Sequence, residues 1–439
     1  MTMFKVQGSK FKVLLGAFGF SAAVLAAAVV RAETVALVGA TIHPVSGPDI
    51  PNGTIVFRDG KIVSVAAGPQ APSGAKVVDV RGKHVYPSLL PAVTVLGLVE
   101  IQSVRATVDT TELGEINPQA RADYSMNYDS ELLPVARSGG ILIAGVSPTG
   151  GIVSGSLAAM RMEGWTREDA TIQAPAAITV VWPDLHLDRS PTARFSVRLQ
   201  EKRRDEAVQK LKDVFADAAA YARARAAEGK TGVPRHDLDP KLEALVPAVE
   251  GRIPVVVFAH TVAQIRAALV WAKDNNLKIV LCGAEDGWRM AEEIAKANVP
   301  VLVETLPLPR RADEAYDTAF ANPAALAKAG VRVAFNEGVS PGEAPNARNL
   351  NHQAATAVAF GFPRDKAVAA ITLEPARTLN VADRLGSLEP GKDATLIVTD
   401  GDILDLRTSV LAAYLDGKPL DLTDKQKKLY ERYKNRPRR

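Results

Sequence analysis

The sequence predicts an α/β fold: a (β/α)8 barrel with a smaller β-rich module. Two observations carry this. From Ile253 onward, short apolar runs alternate with helical segments, and two β-rich stretches full of turn signals flank the long middle of the chain. At 439 residues there is chain enough for one large domain and a smaller one. A composition of 47% hydrophobic and 23% charged residues excludes a disordered chain.

The N-terminus reads as a processing segment. Lys5, Lys10 and Lys12 form a basic region, Val13 to Val30 is apolar apart from Ser21, and Val30-Arg31-Ala32 offers small residues at cleavage spacing. Residues 1–32 are therefore expected to be a signal peptide, and the protein to be exported, periplasmic or secreted. A retained anchor is the alternative, because a spanning helix needs only about 17–25 apolar residues. Four of the 53 basic residues and none of the 49 acidic ones fall in 1–32, which leaves 49 of each in the remainder. The body thus has no overall field to attract nucleic acid. Cys282 is the single cysteine, so no intramolecular disulfide is available and stability rests on the core.

From Thr34 to Val80, β-type runs at Val35–Val38, Thr54–Arg58, Ile62–Ala66 and Lys76–Val80 are separated by Gly, Pro, Asn and Asp turns. Asp59-Gly60 between two apolar runs is a strong hairpin signal. A second β-rich stretch begins at Gly386 and continues through Val410–Leu415 to an Asp416-Gly417 turn. Between them the period changes. Residues 201–228 place Val208, Leu211, Phe215, Ala218, Ala219 and Ala222 on one helical stripe, and Gly229 ends it.

Strands are expected at Ile253–Phe258, Lys278–Leu281, Pro300–Val303 and Val331–Phe335, with helices at Gln264–Lys273, Trp288–Lys296 and Pro323–Ala329 between them. That alternation argues for right-handed parallel βα units. A closed (β/α)8 barrel is the natural form at this size, although a doubly wound sheet has the same local pattern. The tail from Asp424 to Arg439 carries eight basic and two acidic residues. It reads as a solvated helix end or as a surface for an acidic lipid layer or partner.

Several stretches together resemble the amidohydrolase superfamily, the metal-dependent hydrolases of amide and other C–N bonds, closest to its imidazolonepropionase-like branch. They are Gly82–Leu96 (GKHVYPSLLPAVTVL), Gly140–Gly155 (GILIAGVSPTGGIVSG), Ile371–Arg377 (ITLEPAR) and Gly386–Val398 (GSLEPGKDATLIV). The resemblance implies a β-sandwich composite domain from residues 33–85 and 381–420, a barrel over 86–380, and a basic tail over 421–439.

It also implies where metal ligands belong. The first barrel strand of the family usually ends in His-x-His, and here Val93-Thr94-Val95 stands at those positions. The ligand His of the fifth strand corresponds to His260, after Val255–Ala259. The ligand His of the sixth strand corresponds to Cys282, and a thiolate can also bind zinc. The Asp that ends the eighth strand has no counterpart in Val331–Gly338, where Glu337 is the nearest carboxylate. The bridging Lys of the fourth strand has no match; Ile178–Leu187 offers His186.

With most ligands changed, the expectation is a weakly active or inactive member without a cofactor. It would bind a small amide-like ligand, or assemble as a homo-oligomer or with a related active chain, and it would take no nucleic acid. The alternative is a hydrolase with a reduced site built from His260, Cys282, Glu337 and His186 around zinc or another divalent metal. Two further possibilities come from the residues themselves. A Cys282–His260 pair could act as nucleophile and base, or Cys282 could be a buried thiol packed like an apolar group. The charged segment Asp109–Arg137 could bind a polar ligand or be a solvated loop.

Overall fold

The computed structural model describes residues 33–229, 237–305, 314–434 and 436–437. The expected leader lies outside the described residues, and no described helix is long and apolar enough to cross a membrane.

The β-type runs near the N-terminus form β1 (Val35–Ile42), β2 (Ile50–Arg58), β3 (Lys61–Ala67), β4 (Lys76–Asp79) and β5 (His84–Pro87). Asp59 and Gly60 have φ of +53° and +78° and pair Arg58 with Lys61, which is the two-residue turn that suits the twist of a hairpin. The middle of the chain supplies β6 (Ile143–Val146), β7 (Val153–Arg161), β8 (Thr171–Val181), β9 (Val255–Ala259), β10 (Ile279–Gly283), β11 (Val301–Val303) and β12 (Val333–Phe335). The C-terminal stretch supplies β13 (Leu396–Thr399), β14 (Val410–Leu415) and β15 (Lys418–Pro419).

Strands from both ends of the chain share one sheet, ordered β15-β14-β13-β5-β1-β2-β3, with β4 also on β1. The junction is β13 antiparallel to β5, Leu396 opposite Pro87 and Val398 opposite Val85. Leu37, Ile42, Ile55, Phe57, Val85, Leu396 and Val398 form its buried face. Burial of such side chains contributes roughly 1.5–3 kcal/mol each. Apolar burial therefore joins the two ends in a chain that has no disulfide to do so.

The second sheet has seven strands in the order β12-β11-β10-β9-β8-β7-β6, a curled half-barrel. Strands β8 to β12 are parallel, and helices Val262–Asp274, Ala291–Lys296 and Thr318–Lys328 lie in the crossovers, close to the predicted spans. One departure from uniform βα repeats is clear: β7 runs antiparallel to both β6 and β8. The loop between β6 and β7 is short and contains Gly150 and Gly151, both at positive φ, and so short a connection can only turn the chain back.

The segment after β5 lies beside β6, with parallel bridges from Leu89 to Ile141 and from Thr94 to Val146. On its other side, Leu90 N donates to Ile371 O and Val93 N donates to Asn336 Oδ1. The long helix Val197–Ala227 buries Leu211, Phe215, Ala218, Tyr221 and Ala222, and Phe215 meets Trp271 edge-on at 4.9 Å.

Candidate functional site

In a parallel sheet the residues in register point the same way, and the direction alternates along each strand. Phe258, Cys282, Leu302 and Ala334 are in register across β9 to β12. Two residues further on, past the strand ends, come His260, Glu304 and Asn336. This is the end of a barrel sheet at which chemistry is usually placed.

His260 follows β9 directly. Its backbone N–H donates to Gln264 Oε1, and Thr261 and Gln264 form a capping box that starts the next helix. Its Nδ1 lies 3.1 Å from Glu285 Oε1, and both side chains are about one-third exposed, at 32% and 33%. The ring covers Gly283, where a Cβ would come within 2.5 Å of Nδ1. Gly283 has a φ of +90°, so glycine is required there both by conformation and by the close approach of the imidazole. This contact points His260 at Glu285.

Cys282 is fully buried. Burial pushes its thiol well above the usual range, and the Glu304 carboxylate nearby pushes the same way. A thiol held protonated is a poor nucleophile. Val93 and Val95 are likewise fully buried, within the apolar core.

Glu337 is only 4% exposed, and its Oε1 has no hydrogen-bond partner among the described residues. Desolvation raises its pKa to about 8; the Glu304 and Glu343 carboxylates add to the shift, and a hydrogen bond with Gln353 opposes it. At neutral pH its acid form predominates. Thr305, after β11, donates from both N and Oγ1 to Gln353 Oε1 at 2.6 Å, which fixes that amide beside the acid.

Sequence reasoning passed over Asn336. Its side chain is buried between the segment 89–96 and the end of β12, with Oδ1 accepting from Val93 N at 2.9 Å and Nδ2 donating to Glu337 O. A carboxylate there could accept the first bond but could not donate the second. The available signal was that Asn is isosteric with the Asp expected at this strand end. Glu304, directly after β11, and Glu285, two residues after β10, were also missed.

The reduced metal site is not assembled. His186 is exposed on the loop after β8, where its backbone N–H donates to Asp184 Oδ1. Among the described residues no three His, Cys, Asp or Glu side chains are gathered as a metal would require. A catalytic zinc needs three protein ligands and an open position. With two ligand positions occupied by valine and no three candidate ligands gathered among the described residues, the residues present do not fit such a centre.

Part of the charge of the Asp109–Arg137 segment is paired within the protein. Asp123 is buried and takes Arg121 at 2.8 Å and Arg167 at 3.4 Å, Glu115 takes Lys210 at 2.5 Å, and Arg137 pairs with Glu163. Arg121 and Arg167 also both pack on the Tyr124 ring.

A model described as the amidohydrolase family matches residues 258–426, from the end of β9 into the C-terminal helix. The chain is 23% identical over 390 residues to amidohydrolase tasK of Hapsidospora irregularis; the match takes in 83% of this chain and spans 39% of that relative's length. Among solved structures it is similar to an amidohydrolase from Thermotoga maritima MSB8, with a TM-score of 0.77 and 24% identity over 88% of this chain and 99% of that one. It is also similar to molinate hydrolase, with a TM-score of 0.54 and 18% identity over 89% and 95%. The structural likenesses concern the fold. The family match covers His260, Cys282 and Glu337.

Proposed function

We propose that this is an exported amidohydrolase-superfamily protein whose metal centre has been dismantled, and that it binds a small amide-like ligand or partners an active homologue. In this reading the segment 88–96 is the family's first barrel strand, which closes the barrel between β6 and β12, and the sheet built from both chain ends is the family's composite β-sandwich. The basic tail over 421–439 lies outside both. The observation that carries the reading is that Val93, Val95 and Cys282, at three expected ligand positions, are completely buried apolar or protonated groups. Without a Lewis acid, attack by plain water on an amide lacks the group that would lower the water's pKa.

The unpartnered Oε1 of Glu337 supports a second reading, a hydrolase that works with this acid alone. A buried carboxylic acid can donate to a ligand carbonyl or to a departing amine, and its acid form is lost as pH rises through about 8.

One experiment separates the readings: metal content and amide hydrolysis of the purified protein, measured across pH. The first reading expects substoichiometric metal and no turnover above the Glu337→Gln background. Near-stoichiometric zinc or manganese that disappears in His260→Ala would overturn it. Metal-independent hydrolysis that declines through pH 8 and is absent in Glu337→Gln would establish the second.

A further inference from the structure

At the opposite end of the same parallel strands, a pocket of about 420 Å³ opens among residues that precede β9, β10, β11 and β12. Four cationic side chains line it: Arg252, Lys278, Arg332 and Arg377, with Asn298 and Asn380 beside them. No carboxylate lines it. Arg252 is partnered by Glu250 at 2.7 Å, and Arg377 by Glu374 on its own helix. Lys278 and Arg332 have no carboxylate partner among the described residues.

Converging like charges repel unless something neutralises them, and a concave wall focuses their field into the cleft. These cations are not on a mobile loop. Arg252 is followed closely by β9, and Lys278 and Arg332 lead directly into β10 and β12, so the sheet itself sets their spacing. Asn380 Nδ2 donates to Arg252 O and ties the helical side of the pocket to the strand side. At roughly 3.3 Å per strand residue, this floor is on the order of 15 Å from the strand ends that carry His260 and Glu337. It is a separate site.

We propose that this pocket binds a small anion of the phosphate class with at least two negative charges, such as pyrophosphate or a compact phosphate ester. A guanidinium fork accommodates two phosphate oxygens at once, and a lysine adds a point charge from a second direction. A pocket of this volume is suited to a small ligand. A flat dicarboxylate spreads its charges over two centres, whereas the phosphate group presents several oxygens from one.

Isothermal titration of the full chain with pyrophosphate, in a phosphate-free buffer at low ionic strength, tests the proposal. Saturable binding is expected, weakening with added salt. It should weaken by about tenfold or more in Lys278→Met/Arg332→Met, in line with the loss of two charge-assisted contacts. Both side chains are exposed, so the variant should fold, and its thermal melt checks that. Arg332→Lys is expected to bind with intermediate strength. Absence of binding at millimolar pyrophosphate overturns the proposal, as does an unchanged Kd in the folded double variant. Equal affinity for succinate overturns the phosphate assignment.

Discussion

The two ends of strands β9 to β12 treat polar residues in opposite ways. At the C-terminal ends, Cys282, Asn336 and Glu337 are nearly or fully buried, and Glu337 and the thiol are held in their protonated forms by burial and neighbouring carboxylates. At the N-terminal ends, Arg252, Lys278 and Arg332 are exposed and charged around an open pocket. Barrel folds usually keep reactive, solvent-reachable groups at the first end and use the second for stability. Here the C-terminal end buries Cys282, Asn336 and Glu337, while His260 and Glu285 stay about one-third exposed. Changes there should act chiefly on stability and its pH dependence, while changes at the floor should leave stability nearly untouched.

The largest effect expected is on Glu337. Its pKa is about 8 in the folded protein against an ordinary value of 4.5, so the folded state retains a proton that the unfolded chain gives up. Stability from this group is fully present below pH 4.5 and is lost progressively as pH rises to about 8. The loss is on the order of 3–5 kcal/mol. Urea unfolding at pH 5 and at pH 8.5 reads it directly. Glu337→Gln should flatten the pH dependence and be the more stable protein at pH 8.5. An unaltered slope in the variant would show that Glu337 is solvated, and the contrast between the two ends would collapse.

Next comes Asn336. Truncation to Ala leaves Val93 N and Glu337 O without their partners in a buried setting, at a cost of about 2–4 kcal/mol for the two groups. Lys278→Ala, the matching truncation at the floor, should stay within about 0.5 kcal/mol of the parent. Chemical denaturation of both variants tests the comparison itself, since similar losses would mean that the two ends do not differ in packing.

What could be seen in the sequence follows from where information is local. The Asp59-Gly60 hairpin, the helix stripe through Leu211 and Phe215, and the β9 to β12 alternation depend on neighbouring residues, and all appear in the structure close to their expected spans. The antiparallel return of β7 was hidden because the resemblance suggested a uniform barrel, although Gly150-Gly151 marked the short turn that forces it. The site was legible as positions only. That Val93 cannot ligate a metal follows from residue type. That Asn336 joins Val93 to Glu337 depends on a contact between residues 243 positions apart, which no local pattern encodes.

A smaller effect than that of Asn336 concerns Cys282, and it decides between two views of the mouth. A thiol kept as a spare ligand or nucleophile would have to be reachable and at least partly ionised near neutral pH. Burial opposes ionisation of Cys282, and Glu304 adds a negative charge that opposes it further. Cys282→Ala should therefore cost only about 1 kcal/mol, the price of a small cavity in the β10 layer. In the native protein the thiol should react with an aromatic disulfide reagent only as fast as the chain opens, so the rate should rise with urea in parallel with unfolding. Rapid labelling of the folded protein, at a rate that climbs with pH as a thiolate forms, would instead mean that the mouth is open to solvent and that its polar groups remain available for chemistry.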